Sequence, residues 1–167
     1  MSEVYLKKAK KTPETGTSET RKIVERMLSE IEIGKETIAK KYASDLDGFN
    51  GDIIVSQESI ENASKMVPEK LKDDIKFAHE RIKKFAEAQK QSINEFETEL
   101  SPGLWAGQKL IPIQTAGCYV PGGRYAHVAS AIMSITTARV AGVENIIACS
   151  APKGEDGPNP AILYTMN

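Results

Sequence analysis

The residues of this chain whose types and spacing best suit ligand chemistry lie in one glycine-rich loop, from Gly117 to His127. The apolar run that precedes it, Ile111 to Val120, is typical of a buried parallel strand. A strand that turns directly into a helix directs free N–H groups and the positive helix end at whatever fills the loop, and phosphate is a common ligand there. The residues after the loop predict such a helix, because apolar side chains recur at every third or fourth position: Val128, Ala131, Ile132, Ile135 and Ala138.

Spacing alone leaves two interpretations of the loop open. Gly122 and Gly123 do not complete the G-x-G-x-x-G pattern of dinucleotide-binding loops. Many strand-to-helix turns contain two glycines only because the backbone needs room there. The loop is therefore either a plain tight turn or a phosphate or dinucleotide site.

The elements that would position this loop follow from the distribution of charge. Most of the 22 basic and 23 acidic residues precede residue 101, and residues 101–167 hold four basic and three acidic ones. We therefore expect an extended arm over residues 1–16, a mainly helical region over 17–100 and an α/β unit over 101–167. Ser101, Pro102 and Gly103 form the expected junction.

Within the helical region, Thr17 or Ser18 is expected to cap a first helix that Gly34 weakens or breaks. Residues 53–55 are a candidate short strand, and Ser56 is expected to cap a brief helix that reaches Met66.

The longest apolar stripe keeps helical spacing from Leu71 to Phe96, through Ile93. Such a stripe indicates packing in the core or between subunits, although a docking face for a partner helix has the same pattern. His79 lies beside the stripe and, without a second ligand at helical spacing, is expected at the surface.

A second parallel strand is predicted from Asn145 to Cys149, which completes a strand–helix–strand unit of ordinary size. The loop over residues 151–158 then follows at the same sheet edge as the glycine-rich loop, and open α/β sheets bind ligands at that edge. Another helix is predicted to begin at Pro160.

Net charge, hydropathy and cysteine content limit the classes of partner and the cellular location that we expect. The net charge of -1 provides no field that attracts nucleic acid or membrane. No apolar run approaches the roughly 20 residues of a membrane helix, and the polar, lysine-rich start has no signal core, so a cytoplasmic location is expected. Cys118 and Cys149 end predicted strands and are expected to pack as small hydrophobes rather than form a disulfide or a catalytic thiol.

Three runs, AGCYVPGG at 116–123, ASAIM at 129–133 and TARVAGV at 137–143, resemble the histidinol dehydrogenase family. The resemblance implies an N-terminal fragment of an α/β protein, in which a helical region precedes the first βαβ unit of an incomplete Rossmann-like parallel sheet. It also implies NAD and zinc as cofactors, a homodimer when full length, and oxidation of a primary alcohol through an aldehyde to a carboxylate.

The family's cofactor loop matches four positions of this chain, Tyr119, Pro121, Gly122 and Gly123. The resemblance places NAD there, while a core tyrosine remains the alternative for Tyr119. Arg124 and His127 follow as candidate substrate-binding residues, with helix capping or exposure to solvent as the alternative. The zinc ligands and the proton-transferring pair of the family are expected downstream, so no residue here is assigned to catalysis and the chain alone is expected to be inactive.

The loop differs from that of the family members that act in histidine biosynthesis, and this difference suggests the substrate. The loop continues as Arg124-Tyr125-Ala126-His127, where biosynthetic members have a small residue followed by Ala-Pro. This continuation, like the N-terminal segments 5–9 and 12–16, resembles the branch that oxidises 2,3-dihydroxypropane-1-sulfonate to sulfolactate, the sulfopropanediol 3-dehydrogenases. The alternatives are L-histidinol as substrate and, from another class, a non-catalytic nucleotide-binding α/β module.

Overall fold

The structure is a computed structural model that describes residues 18–122 and 125–167. The predicted arm over residues 1–16 and the loop residues Gly123 and Arg124 therefore lie outside the described residues. The elements in chain order are α1 (Ser18–Asp47), α2 (Gln57–Met66), α3 (Glu69–Gln91), β1 (Phe96–Ser101), β2 (Leu104–Gln108), β3 (Thr115–Val120), α4 (Val128–Ala141), β4 (Asn145–Ser150), a 3-10 turn (Gly154–Asp156) and α5 (Pro160–Met166).

The first helix is interrupted near the predicted position. Lys35, one residue after Gly34, has φ 50° and ψ -135°, which is not helical backbone. The Tyr42 hydroxyl donates a hydrogen bond to the Glu30 carboxylate at 2.6 Å. Twelve residues of straight helix would separate these groups by roughly 18 Å, so the two halves of α1 fold back on each other at the break.

The second helix begins as predicted, whereas the preceding strand prediction is wrong. The Ser56 side chain accepts a hydrogen bond from the Ser59 backbone N–H at 3.1 Å, which is an N-terminal cap. Residues 53–55 are not a strand. Ile53 and Ile54 are exposed, and no strand in the described ranges pairs with them. A strand needs such a partner for its backbone hydrogen bonds.

The long helical stripe ends earlier than its spacing predicts. Helix α3 stops at Gln91, and the Ser92 backbone N–H closes its last turn by donating to carbonyls of that helix. Ile93 therefore lies beyond the helix, and Phe96 opens an antiparallel hairpin, β1–β2, that sequence reasoning did not identify. All side chains of both strands are exposed, so the hairpin contributes no buried positions to the core.

The predicted strand–helix–strand unit is present. Strands β3 and β4 pair in parallel, from Thr115 opposite Asn145 to Val120 opposite Ser150. Strand β3 begins at Thr115, so Ile111, where the apolar run starts, lies outside the strand. The intervening helix, α4, is capped at its C-terminus by Gly142, which has a φ of 94°. This left-handed conformation is common at helix ends and is adopted without strain by glycine.

The core lies on one face of this two-stranded sheet. Val120, Ala131 and Ile162 are fully buried together, which joins β3, α4 and α5. Helix α3 packs on α4, and α5 packs on α2 and α4. The opposite face of the sheet is open, since Tyr119 and Ile147 are each 64% exposed. This is the α/β architecture with an incomplete parallel sheet that the sequence predicts.

No helix within the described residues is both long and apolar enough to span a bilayer.

Candidate functional site

The carboxyl ends of β3 and β4 bring two loops into contact, as predicted. A Cβ atom added to Gly122 would lie 2.7 Å from the Ser150 Oγ and 2.8 Å from the Ala151 carbonyl oxygen. Ordinary van der Waals contact for such an atom begins at about 3.4 Å, so a side chain at this position would displace the neighbouring backbone. The glycine at 122 is thus required where the two loops meet.

Tyr119 lies at this edge on the open face of the sheet. Tyr119 is 64% exposed in the part of the chain that the structure describes. Its hydroxyl makes no hydrogen bond to any described residue, so the apolar ring and the polar tip are both accessible.

The two cysteines differ, and the expectation for one of them is wrong. Cys118 is buried, as expected, whereas Cys149 is exposed, and both are free thiols. The reason is strand alternation: Cys118 points to the face that α4 covers, while Cys149 is the register partner of Tyr119 and shares its open face. Predicting the exposure of Cys149 requires the register between the two strands, and the sequence alone does not give that register.

The helix start beyond the loop is open at its positive end. His127 is the N-cap residue of α4, but its side chain makes no capping hydrogen bond and is exposed. Its backbone carbonyl accepts from the Ser130 N–H at 3.0 Å. A capping role for the His127 side chain is therefore not observed, and no side chain among the described residues of the loop caps the first N–H groups of α4.

The structure thus places most of the predicted site residues at two ends of one loop. Tyr119, Pro121 and Gly122 lie at the end of β3, and His127 lies at the start of α4. Gly123 and Arg124, between them, are outside the described residues. Across the described ranges, no group of three or more His, Cys, Asp or Glu side chains is placed to hold a metal ion.

A parallel strand pair joined by a helix, with a glycine-containing loop at the carboxyl edge, defines an α/β protein, a class in which ligands commonly bind at that edge. The chain belongs to the histidinol dehydrogenase family: the family model described as histidinol dehydrogenase matches residues 10–167. The resemblance inferred from the loop and its following helix is therefore confirmed.

Two relatives and one solved structure give the extent of the similarity. A histidinol dehydrogenase homolog of Pelagibacter ubique (strain HTCC1062) is 54% identical over 100% of this chain and 39% of its own length. The sulfopropanediol 3-dehydrogenase of Ruegeria pomeroyi (strain ATCC 700808 / DSM 15171 / DSS-3) is 50% identical over 98% of this chain and 38% of its own. The crystal structure of histidinol dehydrogenase from Elizabethkingia anophelis superposes with a TM-score of 0.84 at 31% identity, covering 93% of this chain and 36% of that one.

The chain therefore spans about 39% of the length of the curated relatives it matches. The solved structure confirms the α/β fold class. The names of these relatives are those of dehydrogenases, so the chain belongs to a family of oxidoreductases.

Proposed function

We propose that this chain is part of a longer NAD- and zinc-dependent dehydrogenase that oxidises a primary alcohol through an aldehyde to a carboxylate. One observation carries the proposal: the exposed Tyr119, the close approach at Gly122 and the uncapped start of α4 converge on one edge of the parallel sheet. That combination of an aromatic surface, bare backbone and a positive helix end suits a dinucleotide.

The residues present fit NAD. Tyr119 offers a ring face for an apolar or aromatic part of the cofactor and a free hydroxyl for a polar one. Gly122 keeps the loop backbone close to the Ser150–Ala151 segment, and the N–H groups at the start of α4 are oriented toward an anion such as pyrophosphate. When bound, NAD supplies the hydride acceptor, and the part of this chain is to hold and orient it.

Zinc does not fit the residues described here, because they contain no cluster of candidate ligands. We propose that the zinc ligands belong to other parts of the whole protein. The residues of this chain then have no role in zinc chemistry.

The favoured substrate is 2,3-dihydroxypropane-1-sulfonate, oxidised to sulfolactate. The support is the 50% identity to a sulfopropanediol 3-dehydrogenase and the Arg124 and His127 of the loop. A sulfonate is a permanent anion with three acceptor oxygens, which suits a guanidinium and an imidazole N–H. L-Histidinol is the second candidate, supported by the solved histidinol dehydrogenase; its amine would be repelled by a nearby guanidinium.

We also propose that the whole protein is a homodimer, as the family resemblance implies. Large apolar side chains remain exposed away from the loop, among them Leu28 on α1 and Phe96 and Trp105 on the hairpin. In the whole protein these side chains can be covered by the rest of the polypeptide or by a second subunit, so the proposal rests on the family resemblance. Light scattering should give twice the subunit mass, whereas the mass of a single subunit at micromolar concentration would contradict the proposal.

The cofactor site is tested by a Tyr119→Ala variant of the whole protein. We expect its affinity for NAD, measured by calorimetric titration, to fall by about tenfold, or about 1.4 kcal/mol. Ile147→Ala is the matched control, because Ile147 is equally exposed on the same sheet face but lies farther from the edge. Unchanged NAD affinity in a folded Tyr119→Ala protein would contradict the assignment.

A further inference from the structure

Ser150 lies where β4 meets the loop that follows β3. It is the last residue of β4 and the register partner of Val120, the last residue of β3. Because side chains alternate between the two faces of a strand, Ser150 points away from Cys149 and toward the face that α4 covers. Its hydroxyl is therefore on the same side of the sheet as the fully buried Val120 and the helix that the loop leads into.

The hydroxyl of Ser150 occupies space that the absent side chain of Gly122 leaves free. Two atoms lie within 3 Å of a Cβ added at Gly122, the Ser150 Oγ at 2.7 Å and the Ala151 carbonyl oxygen at 2.8 Å, and the next one is the Ala151 nitrogen at 3.7 Å. The carbonyl belongs to the backbone, so Oγ is the one of these two atoms that a substitution can remove. Gly122 and Ser150 are therefore complementary in size.

The other contacts of Ser150 do not account for a serine at this position. Its hydroxyl donates to the Ala151 carbonyl at 3.5 Å, a bond to the adjacent residue that is longer than the usual range of about 2.5–3.0 Å for hydroxyl donors. The other half-buried residues of β4 on this face are apolar, Ile146 and Ala148. An alanine would continue that pattern, so the contact with Gly122 is what distinguishes serine from alanine here.

The segment that carries Ser150 is held on both sides of this contact. Before it, β4 is paired with β3 along its whole length. After it, the Lys153 backbone N–H donates to the Gly157 carbonyl at 2.7 Å and closes a turn. Gly157 is buried, and a Cβ added there would lie 3.9 Å from the Phe49 ring. Ser150 therefore presents its hydroxyl from a fixed support, as a binding site needs where its groups must be held to within about 0.5 Å.

We infer that Ser150 is a positioning residue for the cofactor, acting through the backbone of the loop at Gly122. The inference rests on the NAD site proposed above. Without the hydroxyl, an unfilled space lies beside Gly122, the loop is held less firmly and NAD binds less tightly. The turnover of bound NAD does not depend on Ser150, because its hydroxyl contacts the loop and not the reacting atoms.

The test is a double-mutant cycle in the whole protein, with the affinity for NAD measured by calorimetric titration. We expect Gly122→Ala to weaken binding about tenfold and Ser150→Ala about threefold. Since Ser150→Ala removes one of the two atoms that the methyl group of Gly122→Ala meets, the double variant should be about tenfold weaker than the parent. Independent effects would multiply to about thirtyfold. In Ser150→Ala, KM for NAD should rise while kcat at saturating NAD stays within about twofold of the parent value.

Ser134→Ala is the matched control, because Ser134 is also half-buried but its hydroxyl donates to the Ser130 carbonyl within α4 at 2.8 Å. Its affinity for NAD should equal that of the parent. Urea unfolding of the same variants separates positioning from packing: a cycle that is coupled in stability but multiplicative in NAD affinity would overturn the inference. If Gly122→Ala does not fold, the affinity and kcat of Ser150→Ala decide alone.

Unchanged NAD affinity in a folded Ser150→Ala protein also overturns the inference. If Tyr119→Ala still weakens NAD binding in that case, the proposed cofactor site stands and only the role of Ser150 is wrong. If Tyr119→Ala has no effect either, the cofactor site itself is wrong and the role of Ser150 is rejected with it.

Discussion

Tyr119 and Cys149 are register partners across the parallel strands β3 and β4, and both side chains are exposed on the sheet face that α4 leaves uncovered. Adjacent strands lie about 4.8 Å apart, so the phenol ring and the thiol are immediate neighbours. A ligand that covers the ring must therefore also shield the sulfur. This relationship provides a chemical reporter at the proposed cofactor site.

The first prediction uses this reporter. In the whole protein, saturating NAD should slow alkylation of Cys149 by iodoacetamide by about tenfold, because only the unliganded fraction reacts. Mass spectrometry of the modified peptide measures the rate, and buried Cys118 serves as an internal reference that stays unmodified in the folded protein. Equal alkylation rates with and without NAD would show that the cofactor does not cover Tyr119.

The second prediction concerns the close approach of the two loops. Gly122→Ala should lower the free energy of unfolding by about 1–3 kcal/mol, since the new methyl group meets the Ala151 backbone. Gly117→Ala is the control, because an added Cβ there has no heavy atom within 4 Å; we expect a change of at most about 0.5 kcal/mol. Urea unfolding of the two variants measures the difference, and equal stabilities would contradict the contact.

The third prediction concerns pH. The hydrogen bond from the Tyr42 hydroxyl to the Glu30 carboxylate raises the pKa of Tyr42 above its ordinary value of 10.0. A group whose pKa is raised by folding contributes stability fully below its unfolded pKa, and the contribution is lost as the pH rises through the folded value. The free energy of unfolding of the parent protein should therefore exceed that of Tyr42→Phe by a constant amount at neutral pH, and the difference should decline above about pH 10.

Urea unfolding between neutral and alkaline pH measures this dependence. Glu30→Gln, which keeps an acceptor but removes its charge, should diminish the alkaline decline. A difference between parent and Tyr42→Phe that does not vary with pH would mean that the two halves of α1 are not joined by this bond.

The elements near the site were predictable because local signals agreed there. An apolar run, a glycine-containing turn and a helical apolar face together specify β3, α4 and the sheet edge, and Ser56 marked the start of α2 correctly. The hairpin was missed because Ile93 and Phe96 continue the helical spacing of α3, and spacing does not show that Ser92 ends the helix.

The exposure of Cys149 could not be predicted for a different reason. It depends on the register between strands 30 residues apart, and that register is set by tertiary packing. The contact of Gly122 with Ala151 has the same origin. Two loops that are distant in sequence meet only because the parallel strands align their carboxyl ends.

The most direct test of the central claim is the ratio of kcat/KM for 2,3-dihydroxypropane-1-sulfonate and for L-histidinol, measured as NADH formation by the whole protein with zinc supplied. We predict a clear preference for the sulfonate. We also predict that Arg124→Ala lowers kcat/KM for it by the equivalent of roughly 1.5–3 kcal/mol while NAD affinity changes less. Efficient oxidation of histidinol with no turnover of the sulfonate would contradict the proposed substrate and leave only membership of the family.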